Sequence, residues 1–415
     1  MHGFYRLTVE QRRAVLGALG VEAAQLLAMA GATQDTAIYD TMSENVIGTH
    51  RLPLGILTGI GVNGKKHRVA MATEESSVIA ASNRAAQLFE EAAEGGGVSI
   101  NVLPSDVTAQ IAVRVAPEKA AYLRAQIESQ TAHWLSTANA CDPKLSAVGG
   151  GAYALELSEA TPMIQTHVRE ARALVSAQLR VRTADAMGAN AVNTMAEAIL
   201  AQWTSLFGAT PGFEPLMAIV TNSNQGCRVC ARVRLPEEKL RAYFERKGKA
   251  TNADDVTRSF IDKMVAASCF AQCDARRAAT HNKGILNGMI AAALPLGQDT
   301  RAIATAMLDD ANRTGRHMPL SVYSAQETKG KWVLEGKLET VLPVGAVGGV
   351  RQIPSVAAAF AFDEIDHSDT LASVLAAVGL AQNFAALWAL ITEGIQHGHM
   401  KLHAKKKAHD LTERG

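Results

Sequence analysis

The spacing of apolar positions changes along the chain and divides it into segments of different character. Residues 8–31 and 76–93 carry apolar side chains at helical spacing, and the second of these segments ends at three consecutive glycines. Between them, residues 51–69 alternate apolar and polar positions around Asn63-Gly64, a pair typical of hairpin turns. The first part of the chain therefore predicts helices and a β-hairpin.

A segment richer in strands follows. It predicts strands at 98–115, 152–157, 216–220 and 227–235 and helices at 117–136 and 187–207, with 168–182 open between strand and helix. The order strand, helix, strand, strand, helix, strand is typical of a ferredoxin-like module. We interpret residues 106–223 as such a module, inserted into a larger domain.

The larger domain is predicted to resume after the insertion. Alanine-rich helices are expected at 253–293 and 299–313, a hairpin at 321–341 and the last helices at 370–395. The sequence therefore predicts an α+β fold. Its parts are a large, mostly helical domain (1–105 and 224–378), the inserted module (106–223) and a C-terminal segment (379–415).

Composition excludes several classes of protein. Hydrophobic residues make up 48% of the 415 positions, charged residues 20%, and the formal net charge is +1, which gives no electrostatic footprint for nucleic acid. No apolar run reaches the roughly 18 residues of a membrane helix, and the N-terminus lacks the features of a secretory signal. We expect a cytoplasmic protein without nucleic-acid or membrane partners.

The five cysteines do not form a recognisable metal pattern. Cys227 and Cys230 make one C-x-x-C, but the second pair of a zinc ribbon is missing, and Cys269 and Cys273 stand at helical spacing. Reduced thiols are therefore expected, and no metal is predicted.

Residues 274–288, D-A-R-R-A-A-T-H-N-K-G-I-L-N-G, place one lysine among hydrogen-bonding neighbours. Lys283 follows Arg277, His281 and Asn282 and precedes a glycine. An ammonium held in such surroundings can stabilise the oxyanion that forms on a substrate carbonyl. A polar turn on a surface helix is the alternative interpretation.

Three other segments carry polar side chains with more than one interpretation. Glu74 and Glu75 are adjacent, so on a strand only one would face a site, and a surface acidic pair is the alternative. Asp299 is suited to cap the next helix. His399 and His403 have the spacing of metal ligands, but no acidic partner stands nearby.

Four segments, in this order along the chain, resemble 3-hydroxy-3-methylglutaryl-coenzyme A reductase, most closely its bacterial class II branch. They are E-N-V-I-G at 44–48, A-T-E-E-S-S-V-I-A-A-S-N-R at 72–84, D-A-M-G-A-N at 185–190 and the lysine segment at 274–288. The resemblance implies that the large domain binds the coenzyme A thioester, the inserted module binds the nucleotide, and the C-terminal segment is a short remnant of a flap. It also implies interconversion of 3-hydroxy-3-methylglutaryl-CoA and mevalonate through two hydride transfers.

The resemblance assigns four catalytic residues. Lys283 is expected to stabilise the oxyanion, Glu75 to donate a proton in the aldehyde-reducing step, and Asp299 to bridge these two side chains. His399, in G-H-M, is expected to protonate the departing thiolate.

The same resemblance assigns the substrate-binding residues. Ser77 and Arg277 are expected at the carboxylate end of the substrate, Asn287 near the reacting carbonyl and Arg84 at coenzyme A.

The resemblance places the nucleotide site where D-A-M-G-A-N opens a helix, and a helix N-terminus can accept a pyrophosphate through its N–H groups. Without the resemblance, this segment is only one glycine in a turn, since no G-x-G-x-x-G is present. The residues assigned to it are Asp185, Met187, Gly188 and Asn190, with Gly348 from a second glycine-rich loop and Asp142 at the adenine ribose. A carboxylate at Asp142 favours NAD over NADP, although NADP is not excluded and Asp142-Pro143 is equally explained as a turn. Coenzyme A is expected as substrate or product.

By the same resemblance, E-N-V-I-G lies at a dimer interface, which implies a homodimer with a shared active site. The resemblance leaves open whether the dimers form larger assemblies. The sequence departs from the family at Ser76, where class II members have proline, and in the short stretch after His399. These departures leave two alternatives: a coenzyme A thioester-binding protein without turnover, and a dehydrogenase of the same fold acting on another acyl-CoA.

Overall fold

The computed structural model describes residues 7–18, 36–75, 77–159, 161–166, 169–223, 226–248, 253–328, 330–348, 351, 353–392 and 394 of the chain. About half of the described residues are helical. In chain order the helices are α1 Val9–Ala18, α2 Thr36–Met42, α3 Val78–Ala92, α4 Ala120–Ser129, α5 Thr131–Ala140, α6 Pro143–Ala147, α7 Ala189–Phe207, α8 Glu237–Arg246, α9 Ala253–Cys273, α10 Ala275–Ala293, α11 Thr300–Asn312, α12 Pro354–Asp363 and α13 Ser368–Ile391.

The strands form three sheets. In chain order they are β1 Leu54–Val62, β2 Lys65–Ala72, β3 Ser99–Val102, β4 Asp106–Val115, β5 Gly151–Leu157, β6 Met163–Thr166, β7 Arg169–Arg182, β8 Glu214–Val220, β9 Arg228–Pro236, β10 Ser321–Thr328 and β11 Lys331–Val341. The sheet orders are β1-β2, β10-β11-β9-β3 and β5-β7-β4-β8, with β6 paired to β7. The chain is thus an α+β protein, as the sequence predicts.

By its internal contacts the chain divides into two units, Met1–Gly55 with Ala72–Glu74, and Ile56–Met71 with Glu75–Gly415. In the first unit, the Arg13 side chain donates from Nε to the Ile47 carbonyl at 2.6 Å. This bond ties α1 to the E-N-V-I-G segment.

The hairpin of β1 and β2 turns where the sequence predicts. Asn63 and Gly64 both have positive φ, 49° and 83°, which suits the tight turns that join twisted strands. Asn63 also links the turn to β3, because the Ile100 N–H donates to the Asn63 side-chain oxygen at 2.7 Å. The local sequence therefore determines this turn.

The five-stranded sheet has one apolar and one polar face. Alternate residues of β4 and β7 are fully buried, among them Ile111, Val113 and Leu179, and they pack against Trp134 of α5 and Trp203 of α7. The intervening residues carry polar side chains, as expected for a sheet covered by helices on one side. All pairings in this sheet are antiparallel. Residues 106–223 follow the predicted strand and helix order, with α5, α6 and β6 in addition.

The predicted helix at 117–136 is interrupted. Gln130 leaves helical geometry (φ −112°, ψ 18°) and separates α4 from α5. The indole of Trp134 is buried in the core and donates to the Ile127 carbonyl across the break at 2.8 Å. The ambiguous segment at 168–182 is a strand, β7, over its described part.

The four-stranded sheet packs against α3, α8, α9, α11 and α13. Helix α13 has the length and apolarity of a membrane-spanning helix, but 78% of its most apolar window is buried inside the protein, as in a core helix. It lies against α10, and glycines permit the close approach. A Cβ atom at Gly288 would lie 2.7 Å from Gln382 Cβ, and one at Gly379 would lie 2.5 Å from Met289 Cε. The position of α10 is therefore set by α13.

Candidate active site

Lys283 and Glu75 are in direct contact. Lys283 Nζ lies 3.1 Å from Glu75 Oε2, although the two residues are 208 positions apart in the sequence. Lys283 projects from α10, and Glu75 lies just before α3. Their side chains are 61% and 39% exposed, so a bound substrate can reach both. The structure therefore brings together the ammonium and the carboxylate expected from the sequence.

Helix α10 is anchored at both its start and its middle. The Asp274 carboxylate caps it by accepting the Arg277 N–H at 2.9 Å. Further along, the buried His281 contacts the Ser321 hydroxyl at 2.6 Å, and Asn282 accepts the Leu320 N–H and donates to the Met318 carbonyl. His281 and Asn282 thus serve the fold and hold Lys283 in place.

Burial makes His281 a neutral structural group. Desolvation, and next the charge of Arg277, lower the pKa of His281 to about 4. Its partner Ser321 also donates to Asn383 of α13, which donates in turn to the His281 carbonyl. This network joins the helix that carries Lys283 to the central core helix.

Arg277 and Asn287 stand on the same helix as Lys283. Asn287 follows Lys283 by one turn and shares its face. Desolvation lowers the pKa of the half-buried Arg277 guanidinium, which makes no ion pair or hydrogen bond with the described residues. A partly desolvated guanidinium without an anion from its own chain is suited to bind an anionic ligand group.

Ser77 and Arg84 lie at the start and in the middle of α3. Ser77 has a left-handed backbone (φ 79°, ψ −20°) and its hydroxyl makes no capping hydrogen bond. The Arg84 guanidinium lies 3.8 Å from the centre of the Trp388 ring, so it stacks on α13 in this structure. Ser76 lies outside the described residues, as do His397, His399 and His403.

Asp299, expected between Lys283 and Glu75, makes its described contacts within α11. It is the N-cap of α11 and accepts the N–H groups of Arg301 and Ala302 at 3.0 and 3.1 Å, while its carboxylate also pairs with the Arg301 side chain. Partial burial raises the pKa of Asp299, but the Arg301 and backbone hydrogen bonds outweigh it and lower that pKa. The capping alternative from the sequence accounts for all of these contacts.

The two glycine-rich segments expected at the nucleotide lie side by side. The Ala346 N–H donates to the Asp185 carbonyl at 2.8 Å, and Ala186 and Val347 form a parallel bridge. A Cβ atom at Gly345 would lie only 2.3 Å from the Met187 nitrogen, so glycine is required for this approach.

Gly188 starts α7 in a form suited to an anion. Its φ of 85° favours glycine, and a Cβ atom there would lie 2.2 Å from Thr183 Cγ2. As N-cap it has no side chain to accept the first N–H groups of the 19-residue helix, which follow at Ala189 and the exposed Asn190. These N–H groups are available to a phosphate.

Asp185 uses its carboxylate within the protein. Oδ1 accepts the Ser368 N–H at 2.8 Å and Oδ2 lies 3.1 Å from His367 Nδ1. Burial raises the pKa of Asp185, but these hydrogen bonds outweigh it and lower that pKa; Asp185 in turn raises the pKa of His367. His367 and Ser368 could not be predicted as partners of Asp185, because they lie more than 180 positions away in the sequence. The only local signal at these two residues is the start of a helix.

The remaining nucleotide candidates have weaker contacts. Asp142 caps α6 by accepting the Leu145 N–H at 2.9 Å, which agrees with the turn alternative. Gly348 is exposed with a positive φ of 137°.

Among the described residues, no group of three histidine, cysteine or acidic side chains could hold a metal ion. All five cysteines are free.

Comparison with known proteins places the chain in a family. The sequence model described as Hydroxymethylglutaryl-coenzyme A reductase matches residues 8–404. The chain is 36% identical over 412 residues to 3-hydroxy-3-methylglutaryl-coenzyme A reductase of Archaeoglobus fulgidus, covering 98% of this chain and 86% of that one. It is 30% identical over 375 residues to a probable 3-hydroxy-3-methylglutaryl-coenzyme A reductase of Borreliella burgdorferi, covering 89% and 78%.

Solved structures agree with the sequence comparison. The class II 3-hydroxy-3-methylglutaryl-CoA reductase of Streptococcus pneumoniae, bound to NADPH in open conformations, superposes with a TM-score of 0.75 at 30% identity. The match covers 94% of this chain and 99% of that one. A second structure of the Streptococcus pneumoniae enzyme gives a TM-score of 0.75 at 32% identity, covering 98% and 90%. The chain therefore belongs to the hydroxymethylglutaryl-coenzyme A reductase family.

Proposed function

We propose that Lys283 and Glu75 carry the chemistry by which this chain, as a hydroxymethylglutaryl-coenzyme A reductase, reduces 3-hydroxy-3-methylglutaryl-CoA to mevalonate with NAD(P)H. The contact of 3.1 Å between their charged groups is the observation that carries the proposal. Two molecules of NAD(P)H would each supply one hydride, the first for the thioester carbonyl carbon and the second for the aldehyde that remains after coenzyme A departs. The chain's own residues bind, orient and protonate.

Lys283 is assigned to the reacting oxygen. When hydride reaches the carbonyl carbon, its electron pair displaces charge onto the oxygen, and an adjacent ammonium stabilises that charge. A single donor of this kind is worth roughly 10²–10³ in kcat. The anchoring of α10 through Asp274, His281 and Asn282 supports the assignment, because such a donor must be fixed before the charge develops.

Glu75 is assigned to the proton of the second reduction. In that step the aldehyde oxygen gains a proton as its carbon gains hydride, and Glu75 lies within hydrogen-bond distance of the group proposed to hold that oxygen. A positioned acid contributes roughly 10²–10⁴ in rate. The pair would therefore act on one oxygen, Lys283 by charge and Glu75 by proton transfer.

The substrate carboxylate is assigned to Arg277. Its guanidinium is half-buried and makes no ion pair with the described residues, and its fork geometry matches a carboxylate. Ser77 has a hydroxyl not used in capping, and Asn287 shares the face of Lys283, so we assign both to the substrate. Arg84 is proposed to contact coenzyme A, for which it would leave the Trp388 ring.

Asp299 and His399 complete the proposed machinery on the strength of the resemblance. Asp299 would act on the Lys283–Glu75 pair only after exchanging its bond with Arg301, so its proposed role belongs to the substrate-bound enzyme. His399, in G-H-M, is proposed to protonate the coenzyme A thiolate. Histidine is the natural donor for this step near neutral pH.

The module at 106–223 is proposed to be a ferredoxin-like nucleotide-binding domain. The glycine-lined turn at Asp185–Gly188 and the uncapped start of α7 fit a dinucleotide pyrophosphate. Asp185 would act as a positioning residue, because its carboxylate holds Ser368 and His367. Asp142 caps a helix, so it gives no support for NAD over NADP.

We propose a homodimer of class II type with the active site at the subunit boundary. Exposed apolar side chains on either side of E-N-V-I-G support an interface, since Met42 is 50% and Leu54 68% exposed. The large domain (1–105 and 224–378) would bind the thioester, and residues 379–415 would form the flap segment. The five free cysteines fit a reducing, cytoplasmic location.

The experiment that tests the function follows the absorbance of the nicotinamide ring. Purified protein with 3-hydroxy-3-methylglutaryl-CoA is expected to oxidise NADPH or NADH and release coenzyme A, and mevalonate with coenzyme A is expected to drive the reverse. Thioester binding without coenzyme oxidation would support the binding-only alternative. Faster oxidation with another acyl-CoA would support a reductase of different substrate.

A further inference from the structure

Two arginines at the end of β7, the strand that leads into the nucleotide turn, lie beside an exposed tyrosine. The guanidinium of Arg182 lies 4.9 Å from the centre of the Tyr153 ring, and that of Arg180 lies 5.3 Å from it. Both arginines belong to the end of β7, and Tyr153 belongs to the neighbouring β5. No residue of this cluster was a candidate from the sequence.

A bulge at Tyr153 accompanies the placement of its side chain over β7, the neighbouring strand. The register between β5 and β7 shifts between Ala152 and Ala154, so Tyr153 is the extra residue of β5. Its hydroxyl donates to Asp106 Oδ2 at 2.5 Å, and Asn139 holds the preceding residue by exchanging two hydrogen bonds with the Ala152 backbone. Bulges often re-aim a side chain beside a functional site.

The two arginines differ in their partners. Arg180 forms an ion pair with Asp106, so its charge is compensated. The Arg182 side chain is exposed and makes no hydrogen bond or ion pair with the described residues. The cluster therefore presents one uncompensated guanidinium, held against an aromatic ring.

Arg182 lies close to the proposed pyrophosphate site. It precedes Asp185 by three residues, so its Cα is within about 11 Å of the nucleotide turn. Glycines occupy positions 149–151 beside it, and a Cβ atom at Gly150 would lie 2.7 Å from the Arg182 carbonyl oxygen. The loop therefore packs closely on the Arg182 backbone, and a Cβ atom at Gly150 would also lie 2.5 Å from Leu145 Cδ1.

We propose that Arg182, stacked on Tyr153, binds the 2′-phosphate of the adenosine half of NADP and so selects NADP over NAD. This inference rests on the proposed nucleotide site. A 2′-phosphate adds close to two negative charges, which a guanidinium recognises, whereas the 2′-hydroxyl of NAD would leave it without a partner. Tyr153 supplies a flat surface that holds the guanidinium and accepts the adenine ring beside it.

The test measures binding of NADPH and NADH through the fluorescence of the nicotinamide ring. The native protein is expected to bind NADPH more tightly. Arg182→Ala is expected to weaken NADPH by about 10- to 100-fold and NADH by less than about 3-fold, the loss typical of one charge-assisted contact. Arg182→Lys should restore part of the preference, because lysine keeps the charge but not the fork.

A matched control is Arg68→Ala, since Arg68 also lies over an aromatic ring, Phe362, at 5.3 Å. It should change neither affinity. Equal effects of Arg182→Ala on both coenzymes, or none on either, would overturn the inference. Turnover of the native protein with 3-hydroxy-3-methylglutaryl-CoA is measured in parallel. If turnover is present while Arg182→Ala keeps its preference, only this inference fails; if the native protein oxidises neither coenzyme, the proposed function fails.

Discussion

Lys283 Nζ donates to Glu75 Oε2 across 3.1 Å. The pair joins the middle of α10 to the segment before α3, and α10 is itself fixed against α13 by glycines and a buried polar network. The side chains proposed to do the chemistry are therefore partly exposed, while the helix behind Lys283 is rigidly packed. This arrangement suits a donor that must be positioned before charge develops on the substrate.

Glu75→Gln separates proton transfer from geometry. Glutamine keeps an oxygen that can accept from Lys283 but has no acidic proton to give. We expect kcat for reduction of the free aldehyde to fall by roughly 10²–10⁴, the usual contribution of a general acid. Glu74→Gln is the control, because it removes the neighbouring carboxylate and should leave the rate within about threefold of the native value. Equal rates for the two variants would remove Glu75 from the mechanism.

Asp299→Asn distinguishes a catalytic carboxylate from a helix cap. Asparagine is as good an N-cap as aspartate, so α11 should keep its stability, whereas Asp299→Ala should lose about 1 kcal/mol. If Asp299 acts on the Lys283–Glu75 pair, kcat of the asparagine variant falls by at least about 100-fold, as for other lost electrostatic contacts. An asparagine variant with native kcat would show that the residue serves only α11.

The contact of α10 with α13 predicts opposite effects for two glycines. Gly288→Ala should destabilise the protein by about 1–3 kcal/mol, because its Cβ would lie 2.7 Å from Gln382 Cβ. Gly284→Ala should be neutral or stabilising by up to about 1 kcal/mol, because its nearest neighbours are at 3.6 and 3.9 Å and alanine favours helix. Denaturant unfolding measures both. A larger loss at Gly284 than at Gly288 would contradict the described packing.

Asp363 predicts a pH dependence of stability. Its carboxyl group is 1% exposed, and desolvation raises its pKa to about 6, against the hydrogen bond from the Ala70 N–H. Since the folded pKa exceeds the unfolded value, the folded protein holds the proton more tightly. The free energy of unfolding therefore falls as pH rises from about 4 to about 6, by about 3 kcal/mol from this group.

Asp363→Asn should remove that slope while keeping an acceptor for Ala70. The buried His67, whose pKa is lowered by desolvation, contributes the opposite slope in both proteins, so the difference between native and variant isolates Asp363. Asp366→Asn changes an exposed carboxylate nearby and serves as the control. Parallel stability curves for the native protein and Asp363→Asn across this window would show that Asp363 does not titrate as described.

Features fixed by neighbouring residues were predictable from the sequence. The turn at Asn63-Gly64, the hairpin at 321–341 and most helices follow from local spacing and turn chemistry. The glycines at 188 and 345 belong to segments singled out for a nucleotide, and the structure brings those segments together. Family resemblance assigned Lys283 and Glu75 to one site with Asp299 bridging them, and their direct contact was not predicted, because no local pattern links residues so far apart.

Features that depend on tertiary contacts were not predictable. The break at Gln130 accompanies the burial of Trp134 in the core, and the partners of Asp185 come from the start of α13. The Tyr153 bulge exists only in the pairing of β5 with β7. Asp299 had two interpretations, and its contacts within α11 agree with the local one. Periodicity specifies an element, but not which side chains a folded chain brings together.

The most direct test of the central claim compares Lys283→Ala with Arg276→Ala in the reduction of 3-hydroxy-3-methylglutaryl-CoA. Arg276 is an exposed cation on the same helix, so its variant controls for charge and for helix propensity. Both variants should fold with native unfolding temperatures. We predict a fall in kcat of roughly 10²–10³-fold for Lys283→Ala, as expected for a lost oxyanion donor, and near-native kcat for Arg276→Ala. Near-native kcat in folded Lys283→Ala would contradict the account.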